Sequence, residues 1–161
     1  MTAETHASFQ ITPEQAGDAY GVEAVVNAAF GPGRFAKTAE RLREGSTPMA
    51  GFVAREGGRI VGSVRLWPIL VGETRAAFLG PIAVEEAHRK GGLGAQLVEA
   101  CLQAADAAGL SAVLLVGDSP YFGRFGFERA AGVTLPGPVD ARRVLLRAPQ
   151  GDAPSGLVRR A

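Results

Sequence analysis

The chain has 161 residues, of which 47% are hydrophobic and 20% charged, a composition typical of one folded globular domain and unlike that of a disordered chain. Seventeen Lys and Arg against sixteen Asp and Glu give a net charge of +1, which disfavours bulk electrostatic binding to nucleic acid or to an anionic membrane. A single cysteine, Cys101, excludes an intramolecular disulfide and a cysteine-based zinc cluster. Because no apolar run is long enough for a membrane span or a secretory signal, we expect a cytoplasmic protein.

The first third of the chain predicts a loose lead over residues 1–8, a short strand over residues 9–11 and two helices. Thr12 stands at the N-cap of the first helix, Pro13 at its first position, and Gln15 can close a capping box. Gly31-Pro32-Gly33 ends that helix. A second, more charged helix is expected over residues 34–44.

Apolar and polar residues then alternate, which predicts three strands. Residues 51–56 and 59–66 form a hairpin around Gly57-Gly58, and a third strand spans residues 76–84. We expect Trp67-Pro68 to interrupt the second strand. Gly80-Pro81 predicts a bulge or a local break in pairing within the third strand, because proline has no N–H for the ladder.

The second half of the chain predicts a long helix over residues 93–108, a strand at 112–116 buried on both faces, and a short helix with Ser119 as its N-cap. Two closing strands follow, from residue 127 and over residues 144–147, and the tail over residues 149–161 is expected to be loose. Residues 9–148 thus predict a single α/β domain. Its sheet is expected to be mixed and largely antiparallel, with six or seven strands and helices on both faces.

A glycine-rich turn between the third strand and the long helix is the most informative segment. It carries Arg89 and Lys90 beside three glycines, and it ends where a helix begins, so that free backbone N–H groups and the positive end of the helix dipole suit a phosphate. A plain strand-to-helix connection is the alternative. The turn lacks the Lys-Ser/Thr pair of a P-loop and the third glycine of a dinucleotide fingerprint, although Asp118 after the next strand keeps a nicotinamide enzyme open.

The same residues resemble the GNAT superfamily of N-acetyltransferases. Arg89-x-x-Gly92-x-Gly94-Ala95 matches its R/Q-x-x-G-x-G/A signature, and residues 113–127, with their V-G-D-x-x-Y segment, are similar to a group of predicted bacterial N-acetyltransferases. The resemblance covers residues 9–148 and implies the acyl-CoA N-acyltransferase fold, with acetyl-CoA as co-substrate. It implies that the pantetheine arm pairs with the third strand and that the pyrophosphate sits on the turn. The implied cofactor-binding residues are Ile82, Ala83, Val84, Arg89, Lys90, Gly91, Gly92, Leu93, Gly94, Ala95 and Phe122.

Acetyl transfer to an amine needs an unprotonated amine, a donor for the oxyanion and an acid for the departing thiolate. A backbone N–H within residues 82–84 can serve as the oxyanion donor. Many family members have a tyrosine four residues before the final Gly-Phe, where this chain has Phe122. The acid is therefore Tyr121 or Ser119, or the proton comes from solvent or substrate; alternatively, Tyr121 only packs against the short helix and the CoA arm.

No general base stands out. The carboxylates near the expected cleft are more typical of surface charges than of a base; they are Glu73, Glu85, Glu86 and Asp118. The position of His88 just before the turn indicates a structural or phosphate-binding role. Cys101 lies on the apolar stripe of the long helix and indicates a core residue rather than a nucleophile. Trp67 either lines an acceptor pocket or packs in the core, and residues 30–35 fall where the family's first two helices shape the acceptor site.

The resemblance thus implies an N-acetyltransferase that moves an acetyl group from acetyl-CoA to a primary amine by direct attack in a ternary complex. The acceptor is a small molecule, a peptide or a protein. A non-catalytic acyl-CoA-binding or regulatory module of the same fold is the alternative, since Phe122 replaces the usual tyrosine. No metal site and no membrane partner are implied, nucleic acid is disfavoured, and a homodimer is open.

Overall fold

The computed structural model describes residues 9–161, so the predicted lead over residues 1–8 lies outside the described residues. It contains three α-helices, α1 (Ala19–Phe30), α2 (Leu93–Ala107) and α3 (Ser119–Phe122), and short 3-10 turns. Among residues 9–161, no helix is both long and apolar enough to cross a lipid bilayer. The strands, in chain order, are β1 (Gln10–Pro13), β2 (Ala50–Glu56), β3 (Arg59–Val71), β4 (Thr74–Val84), β5 (Val113–Val116), β6 (Glu128–Arg129), β7 (Val133–Thr134), β8 (Val144–Arg147) and β9 (Gly156–Arg160).

The strands form one mixed sheet in the order β1-β2-β3-β4-β5-β8-β6, and β9 joins it through β3 while pairing with β7. Among the strand pairs of the described residues, β4–β5 and β7–β9 are parallel and the others are antiparallel. The α/β class and the largely antiparallel sheet are therefore confirmed. The described residues contain nine strands rather than six or seven, because the short strand β7 and the C-terminal strand β9 also pair.

Helices cover both faces of the sheet. This is expected because successive side chains of a strand point to opposite faces, and adjacent apolar residues therefore need a packing partner on each side. Val53 packs with α1, whereas the adjacent Ala54 packs in the cluster that α2 completes. Leu97 and Cys101, four residues apart on one face of α2, are fully buried in that second cluster. The two helices thus fix the central strands from both sides and hold the ends of β4 and β5 in place.

The predicted start of the first helix is wrong. Thr12 and Pro13 end strand β1, which pairs with β2, and α1 begins only after a 3-10 turn at Ala16–Asp18. The capping box lies one turn later, where the backbone N–H of Gln15 donates to Asp18 Oδ2 at 2.9 Å. Pro13 is tolerated because β1 is an edge strand, where a missing N–H costs little.

The predicted charged helix over residues 34–44 is also wrong. Two 3-10 helices, Pro32–Ala36 and Thr38–Leu42, replace it, and Lys37 between them has an extended backbone with φ −82° and ψ 149°. A further difference concerns β3, which continues through Trp67-Pro68 without interruption. Pro68 lies where β2 ends and β9 begins along β3, so that its missing N–H falls between two partner strands.

The expectation of a loose tail is wrong for the last residues. Gly156–Arg160 forms β9, which pairs with β3 through Val158 opposite Val71, and Val158 is fully buried. The short helix α3 begins one residue earlier than predicted, because Asp118 rather than Ser119 occupies its N-cap position. The carbonyl of Asp118 accepts the N–H groups of the third and fourth residues of that turn.

Candidate functional site

A bulge in β4 defines the centre of the site, as Gly80-Pro81 predicts. Leu79 pairs with Leu66 and Ile82 with Val64, so two residues of β4 face the single residue Arg65 of β3. The bulge takes the carbonyl of Gly80 out of the regular ladder, and the indole Nε1–H of Trp67 donates to that oxygen at 2.6 Å. Trp67 is 6% exposed, so its role in the fold is to hold the bulge from within the core.

Strands β4 and β5 separate where β4 enters this bulge. They are paired only at Ala77–Val113 and Phe78–Leu114, after which a cleft of about 360 Å³ opens between them. The edge of β4 that faces β5 is unpaired here, and such an edge can hydrogen-bond an extended ligand arm as an added strand would. The cleft is lined by residues from both strands and from the segments around them, among them Phe30, Leu79, Gly80, Pro81, Ile82, Leu115, Val116, Gly117, Asp118, Phe122 and Arg143.

The glycine-rich turn lies at the end of β4 and leads into α2. Gly92 has a φ of 80°, a left-handed conformation that glycine adopts without strain, and this turns the chain into the helix. The side chain of Leu93 is fully buried, so only its backbone faces outward. Arg89 Nε donates to the carbonyl of Val84 at 3.0 Å, which fixes the exposed arginine beside the strand end. The first N–H groups of α2 have no acceptor within the helix and are available to an anion.

Tyr121 and Phe122 occupy different parts of the site. A Cβ placed on Gly94 would lie 3.2 Å from the Tyr121 hydroxyl oxygen, so this hydroxyl stands over the start of α2. The ring of Phe122 instead lines the β4–β5 cleft and packs against the backbone of Gly117, where any Cβ would collide with it. Ser119 is half-buried and is not part of the cleft wall. The structure therefore brings Tyr121 to the glycine-rich turn and Phe122 to the cleft.

The remaining cofactor-binding candidates divide between backbone and side-chain positions. Ile82 lines the cleft, whereas the side chain of Ala83 faces α1 and that of Val84 lies in the core beneath α2. Three consecutive residues of the turn are exposed, namely Lys90, Gly91 and Gly92. Ala95, in the first turn of α2, is half-buried.

The candidate base residues are dispersed. Glu85 is ion-paired with Arg59, whose hydrogen bond lowers the pKa of the Glu85 carboxyl and makes it a poor base. Glu73 lies at the opposite end of β4. His88 Nε2 lies 3.2 Å from Glu56, and Asp118 is the one of these groups that lines the cleft.

A second, charged cavity of about 170 Å³, which the sequence patterns did not predict, lies on the other side of the bulge. Arg34, Glu40 and Arg43 line it, and all three are almost fully buried, with burial lowering the pKa of Arg43 despite the nearby Glu40 carboxylate. These residues recur with Lys37 at intervals of three, the period of a 3-10 helix, and this spacing is the signal that could have identified the cluster. Trp67 also lines this cavity, so it both packs in the core and borders the pocket.

Comparison with known proteins gives the family. The sequence model described as the Acetyltransferase (GNAT) family matches residues 21–127, more than half of the chain. The uncharacterized N-acetyltransferase YhbS of Escherichia coli strain K12 is 36% identical over 117 residues, which cover 71% of this chain and 70% of that protein. The uncharacterized N-acetyltransferase YjhQ of the same strain is 29% identical over 143 residues, covering 79% and 72% of the two chains.

Solved structures agree with this assignment. The fold matches a crystal structure of E. coli YhbS in complex with CoA with a TM-score of 0.85, at 29% identity, covering 100% of this chain and 94% of that one. It matches a GNAT family acetyltransferase from Brucella melitensis in complex with acetyl-CoA with a TM-score of 0.76, at 26% identity and 97% coverage of both chains. From the bulged β4, the β4–β5 cleft and these similarities, we conclude that the chain belongs to the acetyltransferase (GNAT) family.

Proposed function

We propose that this protein is an acetyl-CoA-dependent N-acetyltransferase that acetylates a primary amine by direct attack within a ternary complex. The observation that carries the proposal is the continuity of the site: an open strand edge at the β4 bulge leads directly to free N–H groups at the start of α2. A long thioester cofactor with a pyrophosphate needs both features in this order. The crystal structures of similar proteins with CoA and acetyl-CoA support the same choice of ligand.

The chain's own residues fit such a ligand. The free edge of β4 near Ile82 offers backbone groups to the extended arm, and the exposed Lys90 and the outer nitrogens of Arg89 supply positive charge beside the turn. Gly94 keeps the helix start open, since a side chain there would meet the Tyr121 hydroxyl. The Phe122 ring lines one side of the cleft and gives it an apolar wall.

The reaction forms one bond and breaks another. The lone pair of the unprotonated amine attacks the thioester carbonyl carbon, the C–N bond forms, the C–S bond breaks, and the thiolate leaves with a proton that balances the one lost by the amine. A covalent acyl-cysteine intermediate is disfavoured, because Cys101 is fully buried and desolvation raises the pKa of its thiol to about 12. Direct attack is therefore the simpler route.

We assign the Tyr121 hydroxyl to positioning the cofactor rather than to protonating the thiolate. Its place over Gly94 supports a contact with the phosphate end of the ligand, whereas the cleft beside the bulge is lined by Phe122, which has no acidic proton. The thiolate proton then comes from solvent or from the amine nitrogen, which becomes positively charged when it attacks the carbonyl carbon. If the tyrosine supplied this proton, its replacement would lower kcat. If it only positions the cofactor, its replacement should raise KM for acetyl-CoA and leave kcat unchanged.

The experiment measures three quantities in the same samples: the binding of acetyl-CoA, the release of free CoA and the mass of the acetylated amine. A Gly94→Val variant should abolish binding, because the branched side chain fills the space between the helix start and Tyr121. Gly17→Val is the matched control, since a Cβ at Gly17 meets nothing within 4 Å. Binding without CoA release for any amine would favour a non-catalytic module, and no binding would refute the proposal.

A further inference from the structure

The charged cavity opposite the cleft adjoins the place where chemistry would occur. It lies between α1, the two 3-10 helices and strands β3 and β4, and it shares three wall residues with the β4–β5 cleft: Arg34, Arg43 and Pro81. Pro81 belongs to the bulge itself. A group held in this cavity therefore lies directly beside the β4–β5 cleft at the bulge, which is where the proposed reaction requires the acceptor.

Arg34 is the unusual member of this cavity. It is only 8% exposed, and one terminal nitrogen of its guanidinium donates to Glu23 Oε1 at 2.8 Å. Its Nε has no partner, and among residues 9–161 it is the only buried side-chain nitrogen or oxygen without one. Leaving a buried charged donor unpaired costs free energy, so an acceptor supplied by a bound molecule would stabilise this arrangement.

The other two arginines of the cavity are also paired with carboxylates. Arg65 makes a two-pronged ion pair with Glu14, at 3.0 and 2.7 Å, and Arg43 bonds Glu40 at 3.3 Å. Arg34 also has a carboxylate partner in Glu23, so with Glu14 the three arginines and three glutamates balance in charge. Arg34 differs from the other two arginines in its unpaired Nε.

We propose that the acceptor amine carries a carboxylate and that Arg34 binds this carboxylate in the cavity. The inference rests on the proposed acetyltransferase function and names the substrate class of the same site. A carboxylate is planar and offers two oxygens to a guanidinium edge, which suits Nε and a terminal nitrogen together. The ring of Phe35, with its centroid 4.2 Å from the Arg34 guanidinium carbon, helps to fix the orientation of that edge.

The size of the cavity limits what enters it. At about 170 Å³ it is smaller than the usual pocket for a drug-sized ligand, so it accommodates the carboxylate end of the acceptor rather than the whole molecule. The shared wall at Pro81 then leaves the amine facing the cleft. A small amino acid, or the amino-acid end of a larger molecule, matches these two requirements.

The experiment compares amine pairs that differ only in the carboxylate, such as an α-amino acid and the alkylamine that remains when its carboxylate is removed. For each member, kcat/KM is measured with saturating acetyl-CoA, at a pH that leaves the same fraction of amine unprotonated. We expect the wild type to prefer the carboxylate-bearing member by about 10- to 100-fold, the range typical of a charge-assisted hydrogen bond. Arg34→Gln should bring the ratio close to one, with acetyl-CoA kept saturating for the variant as for the wild type.

Two further variants make the test specific. Arg34→Lys keeps the charge but has no Nε donor, and it should retain only part of the preference. Arg75→Gln removes an exposed arginine at the far end of β4 and should leave the preference intact. Equal rates for both members in the wild type, or an undiminished preference in Arg34→Gln, overturn the inference while the acetyltransferase function stands. Acetyl-CoA binding with no acetylation of any amine overturns both proposals.

Discussion

The hydrogen bond from Trp67 to the bulge can be tested by Trp67→Phe. The phenyl ring keeps most of the packing in the core but has no N–H, so the Gly80 carbonyl loses the partner that lies 2.6 Å away. A buried carbonyl without a partner costs about 1–3 kcal/mol, and the smaller ring leaves a small cavity that adds about 1 kcal/mol. The expected loss in the free energy of unfolding is therefore about 2–4 kcal/mol.

Thermal unfolding followed by circular dichroism provides the first assay. In a chain of this length each kcal/mol lowers Tm by about 2–4 °C, so Trp67→Phe should lower Tm by about 5–15 °C. Acetyl-CoA titration provides the second assay, and affinity should also fall because the bulge that opens the cleft is less firmly held.

The matched control is Ile69→Val, a substitution two residues along the same strand. Ile69 is fully buried in the same apolar cluster as Trp67 but makes no contact with the bulge through hydrogen bonds. It should lose only about 0.5–1.5 kcal/mol and retain acetyl-CoA affinity. If Trp67→Phe loses no more stability than Ile69→Val and binds acetyl-CoA equally well, the hydrogen bond does not hold the bulge and the reasoning is refuted.

Three other predictions concern single side chains. Tyr121→Phe should raise KM for acetyl-CoA several-fold with kcat and its pH profile unchanged; a fall in kcat would instead identify the hydroxyl as the acid. Cys101 should resist thiol reagents at pH 8 in the folded protein and react in denaturant, because burial raises its pKa to about 12; rapid labelling of native protein would contradict this. Asp18→Asn should lower the stability at pH 7, since the Arg55 hydrogen bond lowers the pKa of the Asp18 carboxyl. The stabilisation by the Asp18 carboxylate is present above its pKa in the unfolded chain, about 3.9, and is lost as the pH falls through its lower pKa in the folded protein. The free energies of urea unfolding of the wild type and Asp18→Asn should therefore differ at neutral pH and converge in acid.

Much of the centre of the fold could be predicted from local patterns. The alternation of apolar residues predicts the hairpin of β2 with the first part of β3, and also the strand β4. Gly80-Pro81 predicts the bulge because both residues weaken a regular ladder. Leu97 and Cys101 share the apolar face that defines α2. These features depend on neighbouring residues along the chain, which a sequence displays directly.

The errors come from contacts between distant segments. Thr12-Pro13 carries a helix-start signal, but pairing with β2 outweighs it. Val158 belongs to a segment whose composition favours a loose tail, and it becomes a strand only because β3 extends beyond the end of β2. Arg34 and Glu40 have the composition of a solvated surface, and only the folding of the two 3-10 helices over the sheet buries them beside the bulge.

The central claim is that the cleft and the glycine-rich turn bind acetyl-CoA, and calorimetric titration of acetyl-CoA tests it most directly. The wild type should bind one equivalent, and the Arg89→Gln/Lys90→Gln double variant should bind about tenfold more weakly, since it loses charge-assisted contacts to phosphate. A control with Arg75→Gln and Arg159→Gln removes the same charge at the opposite end of the sheet and should bind as the wild type does. Absence of acetyl-CoA binding at high micromolar protein, or equal weakening by both double variants, would contradict the account.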